Sequence, residues 1–185
     1  MMMDWSPEFT FWIAQAFGLI GLCLGIISLQ MKAPRHIIMA DTSLAGAWVV
    51  NYALMGGVNG AIMCCVAIIR GLLVLITPKH LIVYAYLAII SAIWGFGSMH
   101  ITHWVDILPC LGMSVFTTAF FWVKDRAVMV RIMMAGSLLW LGYAISVGTL
   151  FPILSILMNM TSNVIGMARY EGWFRSKTPT LQAAE

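Results

Sequence analysis

The chain is written as long apolar stretches separated by short polar breaks. A helix that crosses a bilayer needs about 20 predominantly apolar residues, and seven such units follow one another here. The first runs from about Phe11 to Gln30 and stops at Met31-Lys32-Ala33-Pro34-Arg35. The second runs from about His36 to Gly56, and the third from Val58 to Ile76, ahead of Thr77-Pro78-Lys79-His80. The fourth covers Leu81 to Met99, and the fifth Trp104 to Trp122, ending at Lys124-Asp125-Arg126. The sixth spans Ala127 to Val147 and the seventh Leu150 to Ala168. The pattern predicts an all-α polytopic membrane bundle of seven transmembrane helices, with no room for a soluble domain.

Composition agrees. Hydrophobic residues make up 62% of the 185 and charged residues 9%, against roughly half and a quarter in soluble domains. Disorder, nucleic-acid binding by a basic patch and a disulfide-stapled secreted scaffold are all excluded. The four cysteines (Cys23, Cys64, Cys65, Cys110) lie inside apolar runs, where a free thiol behaves as a small hydrophobe. The first twelve residues carry Asp4 and Glu8 but no Lys or Arg, so no cleavable leader is expected.

Charge placement gives the orientation. Lys32 and Arg35 follow span one, and Arg70 and Lys79 lie at the end of span three. Lys124, Arg126 and Arg131 surround the junction of spans five and six; Arg169, Arg175 and Lys177 follow span seven. All ten basic residues thus fall on one side. Asp4, Glu8, His100, His103 and Asp106 fall on the other. The positive-inside rule then puts the N-terminus outside and the C-terminus in the cytoplasm.

A shift of 91 residues pairs Gly21 with Gly112, Arg35 with Arg126, Tyr52-Ala53 with Tyr143-Ala144 and Gly57 with Gly148, and brings Trp48 within one position of Trp140. Each pair sits at the same depth and helix end. Spans one to three therefore read as a unit (residues 9–77) repeated as spans five to seven (104–170). Span four (81–99) restores the starting side, and a cytoplasmic tail follows at 171–185. Two parallel repeats related by an axis along the membrane normal are a known transporter plan.

This 3+1+3 layout resembles the SWEET, SemiSWEET and PQ-loop superfamily. More closely, Gln15-Ala-Phe-Gly18-Leu-Ile-Gly21, then Ser28-Leu-Gln30-Met-Lys32-Ala-Pro-Arg35, Asn51-Tyr52-Ala-Leu-Met-Gly56 and Ala67-Ile-Ile-Arg70 are similar to the small bacterial inner-membrane proteins of the YgjV family. The resemblance implies an inner-membrane location and, through the superfamily, passage of a small solute by alternating access. The Pro-Gln dipeptide that names the PQ loop is absent, and only Pro109 and Pro152 lie within spans.

Several residues are candidates for function. Arg70 carries its charge inside an apolar run, roughly 10 Å from the end of its span at 1.5 Å per residue. Asp41 enters span two from the same face at similar depth, and an Asp41–Arg70 ion pair would satisfy two charges that are costly alone. The alternative is that Arg70 snorkels to phosphate headgroups. Ser155, Asn159 and Asn163, four residues apart, share one face of span seven. A carboxamide at mid-membrane must be hydrogen-bonded, either to a neighbouring helix or to a solute. The opposing half would offer Cys64 and Cys65. Trp48, Asn51, Tyr52, Trp140 and Tyr143 complete the candidate pocket, the aromatics serving either as interfacial anchors or as a stacking surface.

His100, His103 and Asp106 fall at i, i+3 and i+6, but nothing in the sequence enforces a helix there, so no metal site is expected. No cofactor is implied, the partners expected are lipid and a small polar solute, and no enzyme motif is present: span seven has no Lys for a Schiff base, and phosphate-loop, GxSxG and HExxH patterns are missing. A non-transporting assembly partner or sensor is the competing reading; a polar cavity at Asn159 separates the two from a tightly packed apolar centre. On topology the expectation is direct. A reporter active only outside the membrane, fused after Glu185, should give no signal, and activity there would reverse the orientation.

Overall fold

A computed structural model describes residues 7–30, 34–123 and 126–170, with side chains described for 7–27, 39–123, 128–129 and 131–165. Asp4, Lys32, Lys124, Arg175, Lys177 and the whole 171–185 tail lie outside the described residues, as do the side chains of Arg35, Arg126 and Arg169.

Seven helices make up the structure: α1 (Pro7–Gln30), α2 (Pro34–Leu54), α3 (Val58–Ile76), α4 (Ile82–Ser98), α5 (Ile107–Trp122), α6 (Arg126–Val147) and α7 (Leu150–Tyr170). Single 3-10 turns at Lys79–Leu81 and Trp104–Asp106 lead into α4 and α5. There are no strands among the described residues. Among the described residues, four segments are long and apolar enough to cross a membrane: Pro7–Ile27, Val58–Ile76, Lys79–Ser98 and Trp104–Trp122. The apolar stretches described in α6 and α7 are shorter, Arg131–Val147 and Leu150–Ile165.

The helix ends fall where the local chemistry puts them. Gly56 (φ 79°) and Gly148 (φ 75°) adopt left-handed backbone between α2 and α3 and between α6 and α7, a conformation that only glycine takes without strain. In both turns the chain reverses within a few residues. Pro78 follows α3, where it cannot continue the helix. The predicted fifth span, Trp104 to Trp122, is found, with a 3-10 turn held by Asp106 as its first three residues and α5 proper beginning at Ile107. The Asp106 Oδ2 accepts from the Thr102 N–H (3.0 Å), the Thr102 hydroxyl (3.0 Å) and the His103 N–H (2.8 Å), closing the Trp104–Asp106 turn.

Six helices form a ring. α1 packs on α2, α2 on α3, α3 on α5, α5 on α6, α6 on α7, and α7 closes back on α1. α4 stands beside the ring, against α3 and α5. It turns Val83, Tyr84, Leu87, Trp94 and Phe96 outward. The ring is drawn tight by glycines facing indoles: a Cβ on Gly21 would lie 2.9 Å from the Trp48 ring, and one on Gly112 2.7 Å from Trp140 Cδ1. Hydrogen bonds add to this. The Asn51 side-chain amide donates to the Ala14 carbonyl (2.7 Å), tying α2 to α1, and the Asn59 amide donates to the Asp106 carbonyl (2.7 Å), tying α3 to the start of α5.

The indole contact yields a stability prediction. Gly112→Ala forces Trp140 or the α5–α6 backbone to shift, which costs about 1–3 kcal/mol. Gly46→Ala, where an added Cβ meets nothing within 4 Å, should cost nothing. Thermal unfolding of the two variants in detergent, side by side, checks the difference.

Candidate functional site

Within the ring lies a cavity of about 140 Å³. α2 contributes Asp41, Leu44, Ala45, Trp48 and Tyr52; α3 contributes Cys64, Ala67 and Arg70. From α5 come Met113, Phe116 and Phe120, from α6 Met133, Ser137 and Trp140, and from α7 Pro152, Ser155, Ile156, Asn159 and Asn163.

One end of the cavity is sealed. Tyr52 and Pro152 are fully buried there. Tyr52 lies among Trp140 (ring centroids 5.9 Å) and Tyr143 (5.6 Å). The Tyr143 hydroxyl accepts from the Gly60 N–H at 2.9 Å, satisfying a first-turn donor of α3 that has no partner within its own helix. Gly57 and Thr149, from the two glycine turns, are buried behind these rings. At the other end Asn159 is exposed and the Asp41 side chain retains 44% of its accessible surface. A smaller recess of about 30 Å³, between α1, α2 and α7, is also lined by Asp41, Ser155 and Asn159. The cavity therefore opens near the start of α2 and the end of α7.

Arg70 dominates its electrostatics. The guanidinium is buried, its side chain only 5% exposed. Its Nη2 lies 3.4 Å from Asp41 Oδ2, long against the 2.7–2.9 Å of a well-made charge-assisted bond. Nη1 reaches Met113 Sδ at 3.2 Å, and Cζ stands 4.8 Å from the centre of the Phe120 ring. A thioether is a weak acceptor and a ring face a modest electrostatic partner. The charge is thus held by one long carboxylate contact and soft surroundings, with most of its donor capacity unspent on the described residues.

Of the residues singled out from the sequence, Asp41, Arg70, Trp48, Tyr52, Trp140, Ser155, Asn159 and Asn163 come together around this one cavity. The Asn163 amide donates to Asn159 Oδ1 at 3.2 Å, so two polar side chains of α7 are linked along its inner face. Asn51 and Tyr143 stand outside the lining; the Asn51 amide N–H donates to the Ala14 carbonyl and the Tyr143 hydroxyl accepts from the Gly60 N–H. Cys64 is buried and lines the cavity, whereas Cys65 is exposed; adjacent helical residues point about 100° apart, so one face takes only one of them. Tyr52, Trp140 and Tyr143 are buried, which sets them apart from interfacial anchors. Ser137 and the α5 set Met113, Phe116 and Phe120 went unnoticed in the sequence. Nothing in the sequence marks these apolar residues as facing inward.

His100, His103 and Asp106 do not converge. Asp106 is used in its own turn, and no group of three or more His, Cys, Asp or Glu residues suited to a metal occurs among the described residues.

With the geometry in place, the family can be stated. A model of a bacterial inner-membrane protein family, Imp-YgjV, matches residues 12–172, and the chain belongs to that family. No curated protein and no solved structure matches it.

The unequal burial of the ion pair predicts unequal costs. Asp41→Leu strands a buried guanidinium and should cost about 3 kcal/mol, at the low end for breaking a buried pair. Arg70→Met leaves only a half-exposed carboxylate and should cost about 1 kcal/mol. The double variant should recover most of the larger loss, because an apolar pair has no desolvation penalty. Unfolding in mixed detergent micelles measures all three.

Proposed function

We propose that this inner-membrane protein passes a small polar solute by alternating access, with α1–α3 and α5–α7 rocking as two units about the cavity and α4 joining them. The observation that carries the reading is the placing of the lining residues. When the shift between the two units is set to bring Trp48 onto Trp140, Asp41 falls on Met133, Ala45 on Ser137, Cys64 on Ile156 and Ala67 on Asn159, and every one of these residues lines the cavity. The packing supports the same exchange: α1 on α2 answers to α5 on α6, α2 on α3 to α6 on α7, and α1 on α7 to α5 on α3. So do the two left-handed glycines and the two glycine–indole contacts.

In this reading all seven helices cross, as in a SWEET-like 3+1+3 plan. α2, α6 and α7 cross despite their polar residues, because Asp41, Ser137, Ser155 and Asn159 face the cavity. The positive-inside orientation puts the sealed tyrosine end outside and the mouth inside, an inward-facing state. A cavity containing Asn159 favours passage over a role as assembly partner or sensor, for which a closed apolar centre is expected.

The test locks the sealed end. An added Cβ on Gly57 would lie 3.2 Å from Val147 Cγ1, within reach of a disulfide. The Gly57→Cys, Val147→Cys variant, with the native cysteines replaced, is reconstituted in proteoliposomes and offered a panel of labelled sugars, amino acids and monocarboxylates. At least one solute should enter when the pair is reduced and stop when it is oxidised. Entry of none into wild-type vesicles, or entry indifferent to the cross-link, overturns alternating access.

A further inference from the structure

Among the described residues the cavity is lined by one cation and one anion, and they occupy unlike places in it. Arg70 is buried and under-bonded: a guanidinium offers five N–H donors, and here they meet one carboxylate oxygen at 3.4 Å and one thioether among the described residues. Asp41 stands at the mouth with nearly half its side chain accessible. The two touch through a single long contact, where a guanidinium and a carboxylate free to optimise would form two short parallel bonds. Both sit in one half of the molecule. Met133 holds the position in the second half that Asp41 holds in the first, and Ser162 the position of Arg70. The charged head of a ligand is therefore received on one side only, and its orientation is fixed.

Beyond the charges the lining turns apolar. Ala67, Cys64 and Ile156 lead to the rings of Trp48, Trp140 and Tyr52. From Arg70 to Cys64 is roughly 9 Å along α3 at 1.5 Å per residue. The size is also bounded, because a protein cavity of about 150 Å³ accommodates one benzene. By that measure a space of about 140 Å³ encloses about six non-hydrogen atoms, a four-carbon side chain and the carbons that carry the head group, with the charged atoms set among the Arg70 and Asp41 side chains.

Charge balance decides the ligand's own charge. A simple carboxylate ligand would draw Arg70 away from Asp41 and leave a second negative charge in a confined, partly dehydrated space. A simple ammonium ligand would take Asp41 and strand the guanidinium. A ligand with both groups re-pairs both charges and adds no net charge to the membrane interior. We infer that the cavity binds a small apolar amino acid as its zwitterion, with the carboxylate on Arg70, the ammonium on Asp41 and the aliphatic side chain directed to Trp48 and Trp140. The inference rests on the solute-passage reading for its choice of cavity, but it concerns binding alone.

The experiment is calorimetric titration of the full chain in detergent with L-leucine, 4-methylpentanoate (which lacks the amine) and 3-methylbutylamine (which lacks the carboxylate). Leucine should bind, and both analogues should be at least tenfold weaker. Asp41→Asn should weaken leucine at least tenfold while leaving 4-methylpentanoate unchanged or tighter, since Asn no longer competes for Arg70. Arg70→Met should abolish both. If a variant fails to fold, the rise in melting temperature of the wild-type protein with each of the three ligands gives the same ranking without it. Absence of leucine binding at 10 mM, or 4-methylpentanoate binding as tightly as leucine, overturns the inference. The two readings fail separately: leucine bound in detergent with no flux in vesicles removes transport and keeps the site, whereas flux of another solute without leucine binding does the reverse.

Discussion

In a bilayer, helices gain nothing by hiding apolar side chains from lipid tails that are equally apolar. What holds such a bundle is fit, together with the need to pair every polar group. Both are visible here, and at the α1–α2 interface side by side. An indole lies against a glycine twice, Trp48 on Gly21 and Trp140 on Gly112, and a carboxamide or hydroxyl completes a backbone group twice, Asn51 on Ala14 and Tyr143 on Gly60. The first kind of contact sets how near the helices come. The second sets their relative height. Between them they close a ring of six helices and leave a space at its middle, because the bulky rings prop the helices apart at the level where the glycines do not reach.

Much of this was legible in the sequence. The span boundaries came from glycine, proline and charge, and α3 runs from Val58 to Ile76 as its punctuation dictates. The fifth span runs from Trp104 to Trp122 as the apolar pattern predicts, but its first three residues form a 3-10 turn because Asp106 gathers three donors from its own connector, something periodicity does not carry. The pocket was found only in part, for one physical reason. A helix surrounded by lipid on one side and protein on the other is apolar on both, so its rotation about its axis leaves little trace in the sequence. Polar residues betray the inward face, which is why Asp41, Arg70, Ser155 and Asn159 could be identified. Phe116, Phe120 and Met133 look like any other lipid-facing side chain until the helices are assembled.

On the proposed reading of α1–α3 and α5–α7 as two units, they are alike in frame and unlike in content. The turns, the indoles and the packing order answer to one another, whereas the charges, the carboxamides and the cysteine of the lining do not. α4 stands outside both; its outward row from Val83 to Phe96 faces away from the ring and carries no part of the cavity.

The sealed end has a consequence for the cell that keeps such a protein. A bacterial inner membrane stores energy as an ion gradient, and a passage lined by Asp, Arg, Ser and Asn would discharge it if water ran through from one face to the other. At the closed end of the cavity stand Tyr52, Tyr143 and Pro152, all fully buried, with the Tyr143 hydroxyl accepting from a backbone donor. Side chains packed this closely leave a water file no room. If the protein passes a solute as proposed, this layer is the insulation that lets a charged cavity exist in an energised membrane.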